Sequence, residues 1–202
     1  MGRNKILEAG KSYSFCQYFE LPYEPDEILA EFGYGLTVGK LSLPMSNQPF
    51  ERLPSLRQQI EEVLPLVSLT SETARREVLV SPILLEIVRQ CRCQLKIEYP
   101  LVVNDWLKRN LDYLLQATSS VAVVEAKWDD LSRGFTPLAV ELIALAVVME
   151  QSVIYGAVTI GEAWRFGKLD KQERQVSQDL TLYTVPDDLE QILSILLGII
   201  AS

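Results

Sequence analysis

Two apolar runs of strand length, "LKRNLDYLLQ" (107–116) and "SVAVVEAKW" (120–128), flank a short polar break, and no other feature restricts the fold of this chain as strongly. Leu- and Val-rich segments separated by so few residues read as a β-hairpin. With its turn centred between Thr118 and Ser119, directly opposed residues have numbers summing to 237, so Asp112 stands opposite Glu125. Opposed side chains have Cβ atoms about 5 Å apart. Lys127 lies two residues on, on the face of Glu125, while Ala126 points the other way and leaves its carbonyl accessible. A slip of one residue would turn every side chain to the opposite face.

Three charges, Asp112, Glu125 and Lys127, in the otherwise apolar stretch 111–128 need a reason. Two facing carboxylates repel, and more strongly when partly buried. A hard divalent cation relieves this, because it takes carboxylate, carbonyl and water oxygens. Asp112, Glu125 and the Ala126 carbonyl supply three such oxygens, and Lys127 is placed to hold or deprotonate an attacking water. A site of that kind suits hydrolysis of a phosphodiester. A lone E-x-K at a strand end is usually a solvated ion pair worth under about 1 kcal/mol. The opposed Asp112 sets this one apart.

Composition narrows the chemistry further. The 202 residues suit one medium domain, or one domain with an N-terminal elaboration. There is no histidine, which removes Ser-His-Asp and Cys-His catalysis, HExxH metalloprotease sites and imidazole-ligated metal. "YGLTVGKLS" fails as a phosphate loop, since Leu41 replaces Ser/Thr and Tyr34 replaces the first glycine; its glycines read as turn residues. The net charge of −8 gives no overall attraction to polyanions or anionic lipid. The longest apolar stretches, 138–149 and 192–201, are too short to span a bilayer. The N-terminus lacks the long apolar core of a signal peptide, and three cysteines, an odd number, fit a reducing compartment. The expectation is a cytoplasmic protein with no membrane partner.

The order of elements predicts an α/β protein, with a mixed sheet between helices. Residues 1–66 read as a helical and loop-rich elaboration packed on a core of residues 67–202, one globular domain overall. Within the elaboration, "PDEILAEFG" is a helix closed by Gly33, "YGLTVGKLSLP" an extended hairpin, and "SLRQQIEEVLPLV" a second helix. "SETARREVLVSPILLEIVRQC" (71–91) is a helix capped by Ser71 and kinked or split by Pro82. Strands follow at 93–103, 107–116 and 120–128, then a long apolar helix at 129–150. Strands at 152–159 and 162–169 turn at Ile160-Gly161, and "SQDLTLYTV" adds a further strand. A helix opened by Pro186 and two acids closes the chain.

Asp112, followed by Glu125-Ala126-Lys127 at the end of an apolar strand, resembles the active-site signature of the PD-(D/E)XK nuclease superfamily. The succession "SETARREVLVSPILLEIV", strand, "NLDYLLQ", "VAVVEAKW" is similar to the N-terminal nuclease modules of type I restriction enzyme subunits and related stand-alone proteins, over about residues 70–170. The resemblance implies a restriction-endonuclease-like mixed sheet flanked by helices. It also implies Mg²⁺- or Mn²⁺-dependent hydrolysis of nucleic acid, with DNA the expected polymer. An acidic residue early in the preceding helix joins such sites, which points to Glu72 first and Glu77 second. Two positions depart from the pattern: Leu111 precedes the aspartate, and Pro137 stands near the place of a helix glutamine.

Arg75, Arg76, Arg89, Arg92 and Lys96 form one loose basic set, and Arg165, Lys168, Lys171 and Arg174 a second. Phosphate contact is open to both, with Arg76 a second-tier site residue, but a solvated face is the reading for most of them. Trp128, Trp164 and Phe166 read as core or rim packing in preference to base stacking. Cys91 and Cys93 read as buried thiols, since three cysteines without histidine make no zinc site. Glu141, inside the apolar 138–149 run, reads as surface-facing, with an outer partner of Lys127 as the alternative. The rival function is a non-catalytic interaction or regulatory protein that keeps the nuclease scaffold, which the acidic balance favours. A second copy of the chain or a protein partner stays open in either case.

Overall fold

The computed structural model describes residues 6–8, 10–118, 120–127 and 130–201, without the side chain of Ser132. Among these residues the strands join one eight-stranded mixed sheet, with helices on both faces. Near the N-terminus lie the short helices α1 (Gln17–Glu20) and α2 (Pro25–Glu31). α2 starts with Pro25 in its first turn and a reciprocal Glu24–Glu27 capping box, and Gly33 (φ +76°) turns the chain after it. β1 (Gly35–Gly39) comes next, then α3 (Leu53–Val63). β1 is not half of a local hairpin as expected. It pairs in parallel with β7 (Gln175–Asp179) and forms one edge of the main sheet.

The predicted 71–91 helix is split. Ser71 caps α4 (Glu72–Arg75) by accepting from the Ala74 N–H at 3.1 Å. A π-helical turn, Arg76–Val80, leads into α5 (Ser81–Cys91). Pro82 has no N–H to continue the i→i−4 ladder, and the Ser81 N–H reaches back to the Arg76 carbonyl instead.

Then come β2 (Gln94–Val102), β3 (Lys108–Gln116) and β4 (Val121–Ala126), paired antiparallel in turn. Helix α6 (Leu131–Val148) crosses over to β5 (Val153–Thr159), which lies parallel to β4. β6 (Ala163–Asp170) returns antiparallel. The turn between β5 and β6 is one residue later than predicted: Ile160 pairs with Ala163, and Gly161 (φ +87°) and Glu162 make the loop. "SQDLTLYTV" divides between β7 and the two-residue β8 (Tyr183–Thr184). Helix α7 (Leu189–Ala201) closes the chain. The strand order is β1-β7-β6-β5-β4-β3-β2, with β8 on β6.

Strand alternation divides the apolar side chains between two layers. Val121, Val123 and Leu114 pack with α6, and Ala122, Val124, Tyr113 and Leu115 pack with α5 and α7. β4, central and covered on both faces, is buried at every position. No helix is long and apolar enough to cross a membrane among the described residues.

Candidate active site

The β3–β4 register is the one read from the sequence. Tyr113 pairs with Val124, Leu114 with Val123, Leu115 with Ala122 and Gln116 with Val121, so every pair sums to 237. Ser119, in the turn, lies outside the described residues. Backbone pairing between the strands ends at Tyr113–Val124. One step on, where Asp112 and Glu125 follow, a side chain replaces the ladder: Asp112 Oδ2 accepts from the Ala126 N–H at 2.8 Å. The Lys127 N–H, on the other side of β4, donates to the Thr159 carbonyl at 2.7 Å.

β3 is irregular at this point. Leu111 packs in the α6 layer and Tyr113 in the opposite one, although residues two apart on a regular strand share a face. The neighbouring strand explains it. Ile97 pairs with Tyr113 and Tyr99 with Leu111, but Glu98 between them has left-handed backbone, φ +52°. Such a conformation in a non-glycine residue costs on the order of 1 kcal/mol or more. Asp112 sits where the strands exchange faces.

Continued alternation along β4 brings Glu125 and Lys127 to the α6 side. Glu125 is 4% exposed and forms an ion pair with Lys127. The stem of Lys127 lies against Gly134 of α6, where any Cβ would come within 2.9 Å of Lys127 Cγ. Glu141, two turns further along α6, is 1% exposed and hydrogen-bonds with Glu125. It is not surface-facing as predicted. α6 is apolar almost all round because it is buried almost all round, and its single internal carboxyl turns inward to Glu125 and Lys127.

The electrostatics follow from burial. Burial, helped by the charge of Asp112, pushes the Glu125 carboxyl up to about 7 against the pull of Lys127 and the Glu141 hydrogen bond. Burial and Glu125 hold Glu141 well above the usual carboxylate range. For Lys127 burial acts downward, but Glu125, Glu141 and Asp112 outweigh it, so the ammonium is held above its ordinary value. Glu72, at the start of α4, is half-buried; burial raises its carboxyl, and Lys127, Asp112, Arg76 and Glu98 all act on it. Glu72 therefore belongs to the same cluster. Glu77 is exposed on the π turn, and no bond or ion pair joins it to the cluster among the described residues.

Arg76 is the sixth member. Its Nη1 stands 3.4 Å from Asp112 Oδ1 and 2.7 Å from Glu98 Oε1, and its guanidinium carbon is 5.0 Å from the centre of the Tyr113 ring. No group of three or more Asp, Glu or Cys side chains forms a ready-made metal cage among the described residues. The oxygens predicted to take a cation are two carboxylates and one backbone carbonyl.

Of the other basic residues, Arg92 and Arg174 are exposed and several have partners within the chain. Arg75 donates to the Leu69 and Ile160 carbonyls and pairs with Glu162. Arg89 pairs with Glu86, Lys171 donates to the Met149 carbonyl, and Lys96 lies over the Tyr99 ring. Trp164 and Phe166 are core residues, fully buried, and Trp128 lies outside the described residues. Cys91 and Cys93 are joined as a disulfide, not free thiols; the left-handed Arg92 between them folds the chain back. Glu98, Tyr113 and Gly134 carried no signal that reading the chain alone detects, whereas Glu141 had one, as a lone acid in an apolar run. Comparison with protein-family models and with curated proteins finds no match to this chain.

Proposed function

We propose that this chain is a divalent-cation-dependent nuclease built on a restriction-endonuclease-like core, with nucleic acid, DNA first, as its substrate. The observation that carries this reading is the Asp112–Glu125–Lys127 cluster. Two carboxylates and an ammonium are buried together at the open end of a central hairpin, where apolar side chains would serve stability better. Charges retained at such a cost, with the Glu125 carboxyl held above its usual range, mark candidate functional sites. The donor set suits Mg²⁺ or Mn²⁺, both of which take hard oxygen ligands. Asp112, Glu125 and the Ala126 carbonyl would hold the ion, which when bound neutralises charge on the scissile phosphate.

The remaining work falls to the chain. Lys127, kept protonated beside Glu125 and held by Gly134, offers N–H donors to orient water or to meet charge developing on a phosphate oxygen. Glu72 lies within electrostatic reach of Lys127 and Asp112 and supports the ion or its water. Glu141 keeps Glu125 in place through their hydrogen bond.

The test is cleavage of single- and double-stranded DNA and RNA with Mg²⁺ or Mn²⁺. Glu125→Gln and Lys127→Ala are each expected to lower the rate by a factor of about 10² to 10³ while the fold persists. Lys127→Arg fails as well, because a guanidinium has neither the compact charge nor the shape of an ammonium. Absence of cleavage on all four substrates would favour the non-catalytic scaffold reading. Cleavage surviving all three substitutions would place the activity elsewhere.

A further inference from the structure

Asp112 is not a free ligand. Its Oδ2 is taken by the Ala126 N–H, and its Oδ1 faces Arg76 Nη1 at 3.4 Å. Arg76 has a closer partner: the same Nη1 lies 2.7 Å from Glu98 Oε1. Its Nε donates to the Tyr113 hydroxyl at 3.3 Å, and that hydroxyl also meets the Ser81 hydroxyl at 3.3 Å. The guanidinium is thus held over the Tyr113 ring between two carboxylates. Asp112 is buried, whereas the Glu98 side chain is 51% exposed. Two departures from regular backbone meet at this point, the π turn that Arg76 opens and the left-handed Glu98. Both kinds of departure concentrate at functional sites.

We propose that Arg76 is a resident counter-cation that neutralises Asp112 until a divalent ion arrives, and then passes to Glu98. The inference rests on the reading of Asp112 and Glu125 as cation ligands. A divalent ion and a guanidinium cannot both occupy Asp112 Oδ1, because two cations at contact distance repel. When the ion takes that oxygen, Arg76 keeps the Glu98 contact, the Tyr113 hydroxyl and the ring beneath it, so it loses one partner and not all of them. Lys127 holds the corresponding place on Glu125. The ion-free site therefore contains no unpaired buried carboxylate at Asp112, and ion affinity is set by competition with Arg76.

Isothermal titration with Mn²⁺ tests this in the wild-type chain, R76Q, E98Q and R76Q/E98Q, with far-UV circular dichroism checking the fold. Removing the competitor in R76Q is expected to tighten binding about twofold to fivefold, the range of a partly exposed ion pair. E98Q takes away the receiving carboxylate, so Arg76 bears on Asp112 alone and binding weakens about threefold. In the R76Q background E98Q then has no effect. If R76Q does not fold, Arg76→Met, which keeps an apolar stem over the Tyr113 ring, carries the same expectation. Equal or weaker binding in the folded Arg76 variant overturns the proposal. So does an E98Q effect that persists without Arg76, which would make Glu98 a ligand. Wild-type binding lost in Asp112→Asn but unmoved by R76Q overturns the counter-cation alone. No wild-type binding, or binding unchanged in Asp112→Asn, removes the cation site and the proposed function with it.

Discussion

The β3–β4 hairpin has two ends that obey different physics. At the turn end Leu114, Leu115 and Val121 to Val124 are buried and apolar, and the backbones pair in unbroken register. At the open end the same strands bury Asp112 and Glu125, the ladder stops, and charges take over. The turn end stabilises by removing apolar surface from water. The open end keeps ionisable groups largely withdrawn from water, and neutralises them with Arg76, Lys127 and a shared carboxyl hydrogen bond. Asp179 shows that a buried carboxylate alone is not a site. It is 1% exposed, and its Oδ1 accepts the Leu41 and Thr181 N–H groups, so it closes a turn. At the open end the partners are other ionisable side chains, which can exchange protons and cations.

The contrast breaks most sharply by mutation at the turn end. Leu114→Ala removes a fully buried side chain and is expected to cost about 2–5 kcal/mol in stability by denaturant unfolding. The activity of the protein still folded should stay at the wild-type level. Loss of activity well beyond the loss of folded protein would show that the two ends are not separable.

A second, smaller effect belongs to the open end. A divalent ion that binds only the folded chain stabilises it by about 2.7 kcal/mol at a hundred times its Kd. Millimolar Mn²⁺ should therefore raise the melting temperature of the wild-type chain and leave that of Asp112→Asn unmoved. Asparagine keeps an oxygen for the Ala126 N–H, so the variant tests charge and not the strand contact. Equal shifts in both proteins would put the ion elsewhere.

The smallest effect is a pH dependence of the ion-free protein. Glu125 and Glu141 have folded-state pKa values raised above those of an unfolded chain. Groups raised in this way favour the folded state below their unfolded pKa, and that contribution is lost as pH rises through the folded value, about 7 for Glu125. The melting temperature in a chelator should fall between about pH 5 and pH 8. Glu141→Gln keeps a hydrogen-bonding side chain without the charge, so the slope should become shallower. An equal or steeper slope would mean that other groups dominate the titration.

The sequence by itself determined the hairpin, its register from Tyr113–Val124 to Gln116–Val121, and the placement of Lys127 beside Glu125. These follow from a period of two and a short turn, which are local properties. Helix ends marked by Pro25, Gly33 and Ser71 were legible for the same reason, and so was the disruption of the 71–91 helix at Pro82. Only the tertiary structure decided that β1 would join β7, a parallel pairing between Gly35 and Gln175 with no local signature. It also decided that Glu141 turns inward: in a helix apolar on nearly every side, periodicity cannot say which face meets the sheet. Arg76 was legible only as a second-tier candidate in a basic set; its partners were not. Arg76 reaches Asp112 and Glu98 because a π turn and one left-handed residue rotate three distant segments together. That arrangement is settled by packing between layers, against the local preference of Glu98.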